Sequence, residues 1–397
     1  MDINQKALAL GSKRSIIREI FEYSKIRAAE IGADKVFDFS LGNPSVEPPK
    51  EVEEAIIEML KTQNATALHG YTSAQGDLMV RKTISNDINQ KFNLNLSPDN
   101  IYMTCGAAAS LSISLKAVMN KGDECIVFAP FFTEYRVFVE NADGTLVIST
   151  PDQKNLQVDL CDFEKKITKN TKAVIINSPN NPSGVVYTEE NIKKVCEILE
   201  RKQKEFNKEI YLIADEPYRE LVYGDIKVPY LMNYYKNTIV CYSFSKSLSL
   251  PGERIGYIAV NPEMQDAKYL YLAICGAGRS LGYVCAPSLF QKVVQKCLNA
   301  KINLEAYKKN RDLLYESLSS FGFDCVKPDG AFYLFVKSPD VSATAFYEKA
   351  KEQEILVVPC DDFGVEGYVR IAYCVSYERI KNSLSGFEKL AKEYKLK

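Results

Sequence analysis

Residues 172–220 read KAVIINSPNNPSGVVYTEENIKKVCEILERKQKEFNKEIYLIADEPYRE, and this stretch decides the fold. Two apolar runs, Lys172–Asn177 and Glu209–Ala214, are rich in Ile, Val, Leu and Ala and end at polar turn formers. Between them Glu189–Phe206 repeats its apolar residues at helical spacing. Strand, helix, strand is the unit of a parallel sheet covered by helices. Further strands are expected at Ile101–Thr104, Glu124–Ala129, Thr145–Ser149, Ile239–Ser243 and Gly256–Val260, with a helix at Ala107–Met119. In such a sheet ligands bind beyond the carboxyl ends of the strands.

After about Val284 the texture changes. A helical region, Ser288–Phe321, leads to a strand at Gly330–Val336. A helix near Thr344–Glu354, short strands at Ile355–Val358 and Tyr368–Ala372, and an amphipathic helix after Tyr377 follow. The expected fold class is α/β: a large domain with a mainly parallel seven-stranded sheet flanked by helices, plus a smaller α+β domain. Residues 45–285 form the large domain in this reading. Residues 1–44, with a helix at Ile16–Ile31, and residues 286–397 form the small one.

Composition excludes several classes. Of 397 residues 46% are hydrophobic and 25% charged, and the net charge is -1, so no basic field attracts nucleic acid or an anionic membrane. The 11 cysteines, scattered from Cys105 to Cys374, contain no CxxC pair, which favours reduced thiols over a disulfide scaffold or a zinc site. The single histidine, His69, rules out a histidine-based metal site, and no metal is expected. Proton transfer then falls to Lys, Tyr, Asp or Glu. No apolar run follows the N-terminal charges, and none reaches the ~18 residues of a membrane span. The expectation is a cytoplasmic protein.

Five strand ends carry residues suited to chemistry. In SFSKSLSLPGERIGY, Ser243 to Tyr257, a lysine follows a strand, and burial there lowers an ammonium toward the range that Schiff-base chemistry uses. Ser243, Ser245 and Arg254 are donors suited to a phosphate, although a solvated turn has the same composition. In IADEPYRE, Asp215 can pair with a protonated ring nitrogen and Tyr218 can donate to a phenolate; a helix cap is the plainer use of such an aspartate. SPNNPSG, Ser178 to Gly184, is turn chemistry that permits a cis bond at Asn181–Pro182 and presents the Asn181 amide. In TCGAAAS, Gly106 turns the chain and Ala107 opens a helix whose free amides suit a phosphate or simply make a tight turn. Phe132 and Tyr135, in PFFTEY, offer a ring to stack on a flat cofactor, or ordinary core.

With DExY, NPSG, SxSK and GxRxGY in this order, the chain resembles the class I/II aminotransferases, the fold type I pyridoxal-phosphate enzymes, over nearly its whole length. The resemblance implies pyridoxal 5'-phosphate as cofactor and Lys246 as the lysine that bears it and shuttles the proton. It gives Asp215 the pyridine nitrogen and Asn181 and Tyr218 the ring oxygen. Phe132 is the stacking ring. Ser243, Ser245, Arg254 and the amides of Ala107 and Ala108 hold the phosphate. Tyr71, in HGYTSAQG, reaches the phosphate of the neighbouring subunit, which implies a homodimer with shared active sites. Gly42 and Arg370 hold the substrate α-carboxylate, Arg370 through its planar fork.

Two departures concern specificity. Alanine at position 108 removes a lysine that some aspartate-specific members place there. Arg279, in CGAGRSLGY, lies 33 residues after Lys246, close to where another subgroup draws a distal-carboxylate arginine from the partner subunit. The resemblance implies amino transfer between an L-amino acid, with aspartate or glutamate expected, and 2-oxoglutarate. Aromatic or broad-specificity aminotransferases and C–S β-lyases are alternatives on the same fold. A non-catalytic ligand sensor would need a DNA-binding segment that has no room here. A nicotinamide dehydrogenase would need more than the incomplete glycine pattern at GAG.

Overall fold

The computed structural model describes residues 2–12 and 15–396. In chain order its strands are β1 (Phe37–Asp38), β2 (Ile101–Thr104), β3 (Glu124–Phe128), β4 (Thr145–Ser149), β5 (Thr171–Asn177), β6 (Tyr211–Asp215), β7 (Thr238–Ser243), β8 (Gly256–Val260), β9 (Cys325–Val326), β10 (Tyr333–Lys337), β11 (Ile355–Leu356), β12 (Val358–Pro359) and β13 (Tyr368–Ala372). The central sheet has the order β2-β8-β7-β6-β5-β3-β4. Only β8 runs against its neighbours, β2 and β7; the other pairs are parallel.

The inner strands are apolar almost without a break because helices cover both faces. Alternate residues face opposite sides: Val174, Leu212 and Val240 enter one core, and Ala173, Ile213 and Ile239 the other. The first face is covered by helices Lys50–Thr62, Leu78–Phe92, Glu189–Phe206 and Ser288–Cys297. The second is covered by Ala107–Val118, Glu134–Asn141 and Ala267–Ser280. Strand β4, at the sheet edge, is only half-buried. The helix expected at Glu189–Phe206 starts where the Thr188 hydroxyl accepts from the Asn191 amide, and it ends at Asn207 in the left-handed region.

The smaller body holds a four-stranded antiparallel sheet, β12-β13-β10-β9, and the parallel pair β1–β11. Helices Leu304–Phe321 and Tyr377–Glu393 and the N-terminal helix Ile16–Ile31 cover it around a third core.

Four expectations change. The helical region Ser288–Phe321 is two helices, because Asn303 caps a new start by accepting from the Ala306 amide at 3.2 Å. The first of these, Ser288–Cys297, buries Val293, Val294 and Cys297 against Val52, Ala55 and Met59. It therefore belongs with the large body, and we place the change of body after Cys297 rather than at residue 286. The run Ile355–Val358 is two strands serving different sheets, and the strand expected from Gly330 begins at Tyr333.

Candidate active site

Three neighbouring parallel strands end together. Asn177 on β5 lies beside Asp215 on β6, and Asp215 lies beside Cys241 on β7, two residues before Ser243. The Asn177 amide donates to the Asp215 backbone oxygen at 2.9 Å, and its Oδ1 accepts from the Asn181 amide at 2.7 Å. One strand-end asparagine thus ties down both loops that follow. The Asn181–Pro182 bond is cis, as are Ser178–Pro179 and Ala129–Pro130.

Asp215 is buried, and its two carboxylate oxygens differ. Oδ2 accepts from the Tyr135 hydroxyl at 2.5 Å, while Oδ1 is buried with no partner. Burial lifts this carboxyl to about 7; the Tyr135 bond opposes the rise and Glu216 adds to it. A buried, half-satisfied carboxylate is a site for a cation.

Lys246 stands in the single turn Phe244–Ser247, which Ser243 caps by accepting from the Ser245 amide. Its Nζ donates to the Gly42 carbonyl at 2.7 Å and lies 5.3 Å from the centre of the Phe332 ring. Burial lowers the ammonium to about 8, Arg254 and Arg370 push the same way, and Cys374 opposes. The amine is therefore partly free base near neutrality, as a nucleophile or base must be.

At one end of the cavity lie the donors. Gly106, at φ 88°, opens helix Ala107–Val118. That positive φ favours glycine, and a Cβ at Gly106 would stand 2.8 Å from Arg254 Nη2 and displace the guanidinium. Arg254 Nη1 donates to the Pro251 carbonyl at 2.9 Å and to Ser245 Oγ at 3.5 Å, and the hydroxyls of Ser243 and Ser245 are 2.7 Å apart. No carboxylate pairs with Arg254 among the described residues. A helix N-terminus, two hydroxyls and an unpaired guanidinium make an anion cradle.

On β13, Arg370 is buried. Its Nη1 donates to Asn181 Oδ1 at 3.0 Å and its Nη2 to the Ser40 carbonyl at 2.5 Å, while its Nε has no partner. The guanidinium stacks 4.7 Å from the Tyr333 ring centre. Tyr333 exchanges a hydrogen bond with Tyr218 at 2.9 Å. A Cβ at Gly42 would fall 2.0 Å from the Tyr333 hydroxyl, so the chain passes this ring as glycine. A buried guanidinium without a carboxylate carries an uncompensated charge and is set for an anionic ligand.

These groups share one cavity of about 530 Å³. Its walls include Lys246, Asp215, Tyr218, Asn181, Ala107, Ala108, Phe132, Ser243, Ser245, Arg254, Gly42 and Arg370, twelve of the fourteen residues expected from the sequence. The other two stand apart. Tyr71 is 98% exposed. Arg279 is exposed on the last turn of helix Ala267–Ser280 and outside its own chain's cavity. Tyr135, noted with Phe132 as an aromatic ring near the site, holds Asp215. Asn177, Tyr333, Ser40 and Arg18 were not expected. Asp215, Tyr218 and Arg370, which Asn177, Tyr333 and Ser40 contact in turn, lie 38, 115 and 330 residues away in sequence, beyond any local signal.

The arrangement fits pyridoxal 5'-phosphate. The orphaned Asp215 oxygen suits a protonated pyridine nitrogen, the Gly106–Arg254 cradle suits a phosphate, and the Lys246 amine suits an aldehyde. Among the described residues no three His, Cys, Asp or Glu side chains gather as metal ligands, and no helix is long and apolar enough to cross a membrane.

Comparison with known proteins agrees with this geometry. The family described as aminotransferase class I and II matches residues 34–387. A probable aspartate aminotransferase of Methanocaldococcus jannaschii is 33% identical over 385 residues, 94% of this chain and 96% of the relative. The crystal structure of an amino transferase from Eubacterium rectale is 54% identical, with a TM-score of 0.97 over 99% of both chains. Aspartate aminotransferase from Thermus thermophilus, solved with maleate, is 25% identical, with a TM-score of 0.86 over 98% of this chain and 100% of its own. A family match across this span, on a cavity with these groups, makes the chain a member of the class I and II aminotransferases, enzymes that use pyridoxal 5'-phosphate.

Proposed function

We propose that this aminotransferase moves an amino group between L-aspartate or L-glutamate and 2-oxoglutarate by a ping-pong mechanism. One observation supports the reading above others: a lowered amine, an orphaned carboxylate and a buried guanidinium without a counter-charge face one cavity. The acidic donor follows the activity named for the Methanocaldococcus relative.

In this reading the side chains divide the work. When bound, the cofactor supplies an electron-withdrawing ring that makes the substrate Cα proton acidic. Lys246 would hold the cofactor's aldehyde carbon through Nζ, and that nitrogen, freed when the substrate amine takes its place, would take the Cα proton and return it. Asp215 Oδ1 keeps a proton on the ring nitrogen, with Tyr135 fixing the other oxygen. Tyr218 and Asn181 serve the ring oxygen, and Phe132 lies against the ring. Arg254, Ser243, Ser245 and the amides of Ala107 and Ala108 hold the phosphate. Arg370 and the Gly42 backbone receive the α-carboxylate, which places Cα next to Lys246.

The reading also includes a cytoplasmic homodimer. Its cysteines are unbridged, and exposed Tyr71 lies in a segment held to Cys285 beside exposed Tyr283 and Val284. Such an apolar face suits a second copy, with Tyr71 serving the partner's phosphate site. A broad or aromatic specificity is the second reading, favoured by Ile17, Leu41, Leu111 and Phe138 on the cavity wall. A panel of amino donors against 2-oxoglutarate separates the readings. Parallel double-reciprocal lines with aspartate or glutamate as the preferred donor support the first. Preference for tyrosine or phenylalanine supports the second, and release of pyruvate and ammonia from cystathionine marks a lyase.

A further inference from the structure

The cavity holds four basic side chains, and the proposed function employs three: Lys246, Arg254 and Arg370. The fourth is Arg18, in the first turn of helix Ile16–Ile31, where Ile17 and Arg18 form part of the cavity wall. Among the described residues Arg18 has no ion pair, although its helix is otherwise committed. Ile20 is buried in the small-body core, and Arg27, nine residues on, holds Glu354 through Nε at 3.0 Å and Nη2 at 2.5 Å. The helix is thus pinned through its middle and far end, and its first turn overhangs the cavity. The same wall includes Phe138 and Glu134 of helix Glu134–Asn141.

Charge accounting gives this arginine a task. A dicarboxylic amino acid brings two carboxylates. Arg370 takes one. Position 108 is alanine, and Arg279 of the same chain lies outside the cavity. We infer that Arg18 receives the distal carboxylate of an acidic substrate, so that specificity comes from the small body's N-terminal helix. This rests on the acidic-donor reading above. Glu134 on the same wall sharpens the selection by repelling a carboxylate that does not reach Arg18. The apolar residues beside Arg18, Ile17 and Leu41, exclude water from the contact once substrate fills the mouth, which gives a charge pair more than its small exposed value.

The test uses the cofactor-loaded enzyme and the variants Arg18→Met, Arg18→Lys, Glu134→Gln and Arg279→Ala. Two measurements are made: kcat/KM for aspartate and for alanine, and the affinity for maleate read from the cofactor's absorbance. Arg18→Met should lower the aspartate-to-alanine ratio by about 30-fold or more and weaken maleate to a similar degree, because a carboxylate loses its charged partner. Arg18→Lys should recover part of both. Equal losses for aspartate and alanine in Arg18→Met and Glu134→Gln would show a latch between those two residues and overturn the inference. An unchanged ratio in Arg18→Met with a collapsed ratio in Arg279→Ala would assign the contact to the partner subunit's arginine and also overturn it. The donor panel of the unmodified enzyme tests the acidic-donor reading separately. A wild-type enzyme without preference for acidic donors would overturn both, whereas a wild-type preference that survives Arg18→Met overturns only the role of Arg18.

Discussion

Replacing Asp215 with asparagine should stabilise the protein without its cofactor and cripple it with the cofactor, and the structure gives the size of the first effect. The folded carboxyl holds its proton up to about pH 7, against an ordinary value of 3.8. A folded pKa above the unfolded one contributes stability that is whole below the unfolded value and is lost as pH rises through the folded value. The gap between 3.8 and about 7 corresponds to about 4 kcal/mol of ionisation penalty carried by the cofactor-free protein above pH 7. Asparagine cannot ionise and keeps an acceptor for Tyr135, but it leaves an amide where Oδ1 has no partner, at a cost of ~1–3 kcal/mol. The net expectation is that Asp215→Asn gains about 1–3 kcal/mol at pH 8. The advantage should shrink by about 3 kcal/mol on moving to pH 5, where the wild-type carboxyl is protonated. Urea unfolding of cofactor-stripped wild type and variant at the two pH values measures it. Adding saturating cofactor at pH 8 should reverse the order, since a ligand that binds the folded state stabilises it by mass action and the variant cannot hold a protonated ring nitrogen as a carboxylate does. A variant no more stable than wild type at pH 8, or a difference that stays flat between pH 5 and 8, would refute the reasoning.

Lys246→Ala should fold, bind the cofactor only reversibly, and lose essentially all amino transfer; near wild-type turnover in a donor assay would remove Lys246 from its role. Arg370→Lys should lower kcat/KM by about 30-fold or more for every donor alike, because a point charge replaces a fork that holds Asn181 and Ser40 while facing the α-carboxylate; a loss confined to acidic donors would contradict that placement. Light scattering at assay concentration should find a dimer, and Tyr71→Phe should weaken cofactor retention in a dialysis assay; an active monomer would sink the shared-site reading.

Much of this protein was legible in its sequence, for reasons that are local. A strand buried on both faces needs an unbroken apolar run, and a helix beside it needs apolar residues at its own spacing, so KAVIIN, ENIKKVCEIL and IYLIAD announced their elements within a residue or two. The residues at the strand ends were legible because a lysine, an aspartate or an asparagine has to be used if it follows such a run. Asn177 escaped notice because it reads simply as the last residue of an apolar strand, yet it ties the Asp215 and Asn181 loops together.

What only the tertiary structure decided was which distant groups meet. Helix Ser288–Cys297 has an amphipathic pattern that either body would accept, and its contacts with helix Lys50–Thr62 assign it to the large one. Tyr135 reaches Asp215 across 80 residues of chain, and Arg370 reaches Ser40 across 330. Hydrophobic periodicity is a property of neighbours along the chain and is written in their order. The pKa of Asp215 or Lys246 depends instead on how much water is excluded and on which charges stand nearby, and those are set only when the two bodies close around one cavity. Arg18 shows the same division: a surface helix residue by pattern, it becomes a wall of that cavity only because the small body carries its helix to the mouth.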